Sequence, residues 1–355
     1  MLRASLRSGI SLFDDLRDEW RDLAAASPDA TPFQTFEWQS TWWRHYGRWR
    51  RPLAVTVHEG NDLVGLMPLV RGRGPWRTLR PMGIGPSDYL QPLARDGYER
   101  SVAEAVIEAI ANVPNVDLID LQQVRETQWL AASSAVPPIV QSTCLVLDLP
   151  GTYDAYLGML GKSLRYDVRR LDKTLFKEGR AEIQSCRPEE SDQALDVLFE
   201  LHRQRWRKRH LPGAFVGAAP RFHREWAHLA ASRGWLWLSV LRVAGEPIGA
   251  IYAMTFGSTA YYYQAGFDPA KGAVSPGTLL VASSIRRAIE EGKRHFDFMR
   301  GDEPYKRRWK AQRTLRNLRF LQAGQGLGGR AGAAWNMLGS RVEGKFRAKL
   351  EGRGL

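Results

Sequence analysis

Ten consecutive residues, Arg300-Gly301-Asp302-Glu303-Pro304-Tyr305-Lys306-Arg307-Arg308-Trp309, place two carboxylates, a phenol and several cations within one short turn. Side chains of these types can take up a proton, return one and hold an anion or a charged acceptor. Asp302 and Glu303 are base candidates, Tyr305 is an acid candidate, and Lys306 offers a charge for a phosphate or for an acceptor's carboxylate. An arbitrary charged turn is better read as a solvated loop with a surface ion pair. The elements around this one reverse that preference.

Residues 275–292 read as a helix: Ser275 is the cap, Pro276 takes the first position, where a missing N–H costs nothing, and Gly292 is the left-handed stop. Val281, Ile285, Ala288 and Ile289 share one face at helical spacing. Phe296 and Phe298 then alternate with His295, Asp297 and Met299, the pattern of a half-buried strand. In open α/β sheets ligands bind at the carboxyl ends of strands, and the charged turn falls at such an end.

At 355 residues the chain is too long for one ordinary core and predicts two domains. Hydrophobic content of 44% and charged content of 25% belong to a globular protein rather than a disordered one. Cys144 and Cys186 supply neither a disulfide framework nor a zinc site, which points to the reducing cytoplasm. The first twenty residues lack the apolar core of a secretory signal, and no stretch reaches eighteen uninterrupted apolar residues. The net charge of +13 is concentrated late: fourteen Lys or Arg against four acidic residues follow from Arg300 onward. A polyanion would meet this end of the chain, whether a CoA or nucleotide phosphate, a tRNA or an anionic membrane surface.

In chain order, residues 12–26 read as a helix and residues 36–47 as an aromatic-rich helix bound for a core or an interface. Strands follow at 53–58 and 63–70 around a Glu59-Gly60-Asn61-Asp62 hairpin turn, then at 76–82 and 88–93, a helix at 98–111 and a strand at 116–121. The second half repeats that order: basic helices at 152–177, a strand at 181–186, helices at 189–209 and 221–232, a three-stranded meander over 235–265, the helix from 275, the strand at 295–299 and a last strand at 315–322. The expected domains are 1–140, 141–325 and a basic tail, 326–355, and the shared order implies a duplicated unit.

A meander, a glycine-containing loop, a helix and a returning strand resemble the GNAT acyltransferase fold. Tandem copies resemble the Fem-type peptidoglycan aminoacyltransferases and, more closely, the CelD-type acetyltransferases associated with bacterial cellulose and exopolysaccharide synthesis. The resemblance is carried by PFQTFEW, LVGLMPLV and GIGPSDY in the first half and by LHRQRW, YYYQAGFDPAKGAVSPGTLL and FDFMRGDEPYKRRW in the second. It implies an α/β (α+β) protein of two GNAT-like domains, each a mostly antiparallel mixed sheet flanked by helices, the first degenerate. It also implies acetyl-CoA or another acyl-CoA as co-substrate, no metal, and phosphates received between Gly266 and the helix start at Ser275, Gly277, Thr278 and Leu279. Open N–H groups in that first helical turn suit an anion, with the dipole adding about 0.3–1 kcal/mol.

One departure stands out. The usual CoA signature, Gln or Arg then x-x-Gly-x-Gly or Ala, is missing between Gly266 and Gly277. It occurs instead at Arg80-Pro81-Met82-Gly83-Ile84-Gly85, read as a turn, while Gly324 to Gly329 reads as a linker without a following βαβ unit.

Asp88 and Tyr89 are expected to line the substrate cleft from the first half, with a capped strand start as the alternative. His202, Arg205 and Trp206 share a helix face, with Phe215 in the loop beyond, and are a second candidate substrate-binding group: Arg205 and Trp206 suit a sugar- or nucleotide-facing wall, while a lone histidine there is more often a structural hydrogen-bonder than a base. No G-x-S-x-G, H-E-x-x-H or paired CxxC is present, and His223 and His228 are not spaced to chelate. The expected activity is acetyl transfer to an amine or hydroxyl of a small-molecule or glycan-precursor acceptor, envelope or exopolysaccharide in kind. Its rivals are an aminoacyl-tRNA-dependent transfer and a non-catalytic accessory of polysaccharide synthesis. The accessory reading would use Trp335, Leu338, Val342 and Phe346 with Arg341, Lys345 and Lys349 as a membrane-surface helix.

Overall fold

The computed structural model describes residues 1–72, 76–126, 136–207, 213–324 and 329. The basic tail and its expected amphipathic helix lie outside them. The chain divides into two units, Met1–Thr143 with Leu315–Leu355, and Cys144–Thr314. The strand at 315–322, expected to finish the second domain, therefore belongs to the first. Among the described residues no helix is long and apolar enough to cross a membrane.

In the first unit, β1 (Leu2–Ser8), β2 (Arg50–Glu59), β3 (Asp62–Gly72) and β4 (Thr78–Pro81) run antiparallel in turn. The short β5 (Leu93–Ala94) pairs β3, and β4 lies parallel to β6 (Leu118–Arg125). Residues 12–26 form two helices, α1 (Leu12–Asp15) and α2 (Arg17–Ala26), broken at Leu16. The aromatic segment is α3 (Phe36–Tyr46), and α4 (Glu99–Ala111) buries Val102, Val106 and Ile110 among Val55, Met67 and Leu69.

The loop 82–92, expected to contain a strand, is instead fastened to α3. Trp38 Nε1 donates to Ser87 Oγ at 2.7 Å and Trp42 Nε1 to the Ile84 carbonyl at 3.0 Å. Gly83 and Gly85, at φ +93° and +106°, make the turn that the Arg80–Gly85 string was expected to be.

The second unit begins within β7 (Ile139–Asp148), at Cys144, and continues through α5 (Tyr153–Met159) and α6 (Lys162–Leu171). Next come β8 (Ala181–Ser185), α7 (Ser191–Arg207), α8 (Ala219–Ser232), and the meander β9 (Leu236–Val243), β10 (Glu246–Phe256) and β11 (Thr259–Phe267). The unit continues through α9 (Pro276–Glu290), β12 (His295–Arg300) and α10 (Pro304–Arg307). Strands β8 to β11 are antiparallel, β11 is parallel to β12, and β12 is antiparallel to β7.

The first unit obeys the same rule once β13 (Arg313–Ala323) is placed antiparallel on β6. Two runs of six strands thus share one order of strand directions. The first unit takes its sixth strand, β13, from beyond the second unit's chain, whereas the second unit's sixth strand is its own first segment, the Cys144–Asp148 part of β7.

Helix α9 is the anchor of the second unit. It buries Leu279, Leu280, Val281, Ile285 and Ile289 under the sheet, each worth on the order of 1.5–3 kcal/mol relative to exposure. Gly292, at φ +69°, ends it as the sequence indicated.

Candidate functional site

Strands β11 and β12 pair only at Thr259↔His295, Ala260↔Phe296 and Tyr261↔Asp297, and then part. The cause lies in β12. Its ladder with β7 shifts register between Asp297 and Arg300, Met299 takes φ +59°, and the Asp297 carboxylate accepts the Met299 N–H at 2.7 Å. Because Asp297 is buried, this bond holds the kink that turns the strand end away from β11.

Tyr262 is the first residue past the last β11–β12 pair. Its phenol interacts with that of Tyr305, at the start of α10. Burial raises both phenols above their ordinary range, and their mutual proximity raises Tyr305 further. Tyr305 is 39% exposed, and Tyr262 and Glu303 both bear electrostatically on its phenol.

Arg205, on α7, bears electrostatically on both phenols and sets its guanidinium 4.6 Å from the centre of the Phe267 ring. Its buried Nε has no hydrogen-bond partner among the described residues. A Cβ built on Gly277 would stand 3.6 Å from that same Phe267 ring. Phe267 therefore links the start of α9 to Arg205, and Arg205 leads on to the tyrosine pair. Tyr262 and Phe267 carry no catalytic motif in sequence; their signal was the run Tyr261-Tyr262-Tyr263 before a glycine at a strand end.

The charged turn is organised differently from its sequence expectation. Lys306 is 3% exposed, and its ammonium donates to the carbonyls of Arg300 at 2.8 Å, Gly301 at 3.2 Å and Met299 at 3.4 Å, and meets Glu303 Oε2 at 2.9 Å. Three N–H groups are thereby committed, so Lys306 fastens the turn and has no donor left for a phosphate. Asp302 is bound to Arg307 at the surface. Glu303 keeps a half-exposed carboxylate beside Tyr305.

The helix start also differs. Ser275 is left-handed, at φ +50° and ψ +55°, and its hydroxyl does not cap α9. Its carbonyl instead accepts the N–H groups of Thr278 at 3.0 Å and Leu279 at 3.2 Å. Of the three amides expected to face an anion, only that of Gly277 is left.

Gly266 is filled in from the other side. A Cβ there would stand 2.6 Å from the His202 nitrogen and 3.0 Å from the Leu198 carbonyl, so its bareness admits α7 against β11 and does not cradle a cofactor.

His202 is 2% exposed and packs edge-on against Phe215 at 4.9 Å and near Trp206 at 5.7 Å. Burial lowers its pKa to about 4. It is a core histidine, and of the expected group on α7 only Arg205 reaches the fork. Asp88 and Tyr89, expected to line a substrate cleft, are buried within the first unit, with Tyr89 at φ +58° beneath Arg125. Cys186 is raised by burial to about 11, which makes it a poor nucleophile. Among the described residues no group of three His, Cys, Asp or Glu could hold a metal ion.

The fold is similar to that of solved proteins at low identity. FemX matches at 12% identity with a TM-score of 0.62, over 85% of this chain and 95% of that one. The C-terminal domain of a putative lysylphosphatidylglycerol synthetase from Agrobacterium fabrum matches at 11% and 0.59, over 93% and 96%. L-PGS from Bacillus licheniformis matches at 13% and 0.54, over 86% and 96%. No characterised protein matches the chain by sequence. Residues 162–307, inside the second unit, match the family model described as the acetyltransferase (GNAT) domain.

Proposed function

We propose that the second unit is an acyltransferase that moves acetyl from acetyl-CoA to an amine or hydroxyl of an envelope or exopolysaccharide precursor. The observation that carries this reading is the hydroxyl pair Tyr262–Tyr305 at the point where β11 and β12 part. An extended donor would lie along β11 beyond Tyr261, with Phe267 and the Gly277 amide toward its phosphates. A phenol held above its ordinary pKa keeps its proton at neutral pH, so Tyr305 can protonate the leaving thiolate. Glu303 would take the acceptor's proton, while Lys306 holds its turn in place. Arg205 supplies positive charge where the oxyanion forms.

A second reading has its own observation. With the Thr278 and Leu279 amides committed to Ser275, the start of α9 offers little to a pyrophosphate, and this favours an aminoacyl-tRNA donor. Calorimetric titration separates the two. Acetyl-CoA binding that is weakly salt-dependent supports the first, and binding of charged tRNA that weakens steeply with salt, without acetyl-CoA binding, supports the second.

A further inference from the structure

Another opening lies in the second unit, along the C-terminal half of α9. It is a cavity of about 220 Å³ between that helix and β8, β9 and β10, and it shares no residue with the fork at Tyr262 and Tyr305. Most of the sheet face beneath α9 is apolar, with Trp237, Leu241, Ile251 and Ala253 buried there, as packing under a helix demands. The cavity breaks that pattern. Ser185 and Ser239 stand directly opposite each other in the β8–β9 ladder, and Ser283 joins them from α9.

None of these three hydroxyls is hydrogen-bonded to another described residue: Ser239 is buried, Ser283 half-buried and Ser185 exposed at the rim. The adjacent Ser284 shows the contrast: its hydroxyl is satisfied by the Leu280 carbonyl at 2.8 Å. A buried hydroxyl such as that of Ser239 is ordinarily satisfied by protein, water or a ligand.

The charges around the cavity narrow the chemistry. Arg287 lies 4.4 Å from the centre of the Trp237 ring and pairs with Glu291 at 2.7 Å. Arg286 lies 4.4 Å from the centre of Tyr153 and pairs with Asp172 at 3.4 Å. Both cations are answered, so the site is not an anion trap. Glu290 adds a carboxylate acceptor at the mouth. What is left to greet a ligand is a set of hydroxyls that both donate and accept, one carboxylate and a confined volume.

We propose that this cavity binds a neutral polyhydroxylated small molecule the size of one sugar ring or cyclitol. The inference does not depend on the chemistry proposed at the fork, and its test reads binding alone.

The test is saturation-transfer NMR on the full chain with D-glucose, D-mannose and myo-inositol as probes, and with inorganic phosphate and glycine as competitors. At least one ring compound is expected to receive saturation. Its affinity should fall about threefold to tenfold for each hydroxyl removed in Ser239→Val and in Ser283→Ala. Ser283→Ala puts a strong helix former at a partly exposed helical position and so keeps the fold, which thermal unfolding checks. Phosphate and glycine should not displace the ring. No transfer to any of the three probes, equal binding by both variants, or displacement by phosphate or glycine would overturn the proposal.

Discussion

The phenol of Tyr305 interacts with that of Tyr262 at the fork between β12 and β11. Replacing Tyr305 by Phe removes one oxygen and leaves the ring. If that oxygen delivers a proton, turnover should fall about 10²- to 10⁴-fold with KM nearly unchanged. Steady-state thiol release checks this, and a loss within twofold would exclude the role. Tyr262→Phe, which removes only the neighbour, should cost less.

Lys306 links the strand end to the turn. Lys306→Ala should destabilise the second unit, because each carbonyl left dry costs on the order of 1–3 kcal/mol. The thermal midpoint should fall about 2–4 °C for each kcal/mol lost. Activity should fall with it, since Tyr305 and Glu303 sit on the same turn. An unchanged midpoint with lost activity would return Lys306 to a direct role in binding.

Gly266 sets how closely α7 approaches β11. A methyl group there meets main-chain atoms of His202 and Leu198, which cannot rotate away. Gly266→Ala should therefore cost about 1–3 kcal/mol in urea unfolding. A cost near zero would mean that the helix is free to shift.

Two buried histidines give the second unit an acid-sensitive stability. Burial lowers His202 to about 4 and His223 to about 3, against an ordinary 6.5 once unfolded. The unfolded chain therefore binds these protons first. Stability is complete above about pH 6.5 and should fall as pH drops toward 4 and then 3, by at most about 1.4 kcal/mol per pH unit for each histidine. His202→Gln should flatten this slope when denaturant midpoints are measured across the range.

The elements were legible wherever their own residues carried the pattern. The hairpin turn after Glu59 and the helix closed by Gly292 are local, and both appear as expected. Strand β1 was not legible, because it is mostly exposed and pairs only with β2, so it lacks clear apolar alternation. Membership of β13 in the first unit was hidden for another reason: Leu318 pairs with Val124, and no local signal reports a partner so distant in sequence. At the site, Tyr305 and Glu303 could be picked out by type. Lys306 looked like a ligand because a buried lysine and a solvated one are spelled alike, and only the three carbonyls around it show the difference.

Acetyl-CoA titrated into protein labelled with ¹³C-tyrosine tests the central claim most directly. The account predicts that the Tyr262 and Tyr305 resonances, assigned through their Phe variants, shift with acetyl-CoA while that of Tyr98 in the first unit does not. Saturable acetyl-CoA binding that leaves both resonances in place would contradict it.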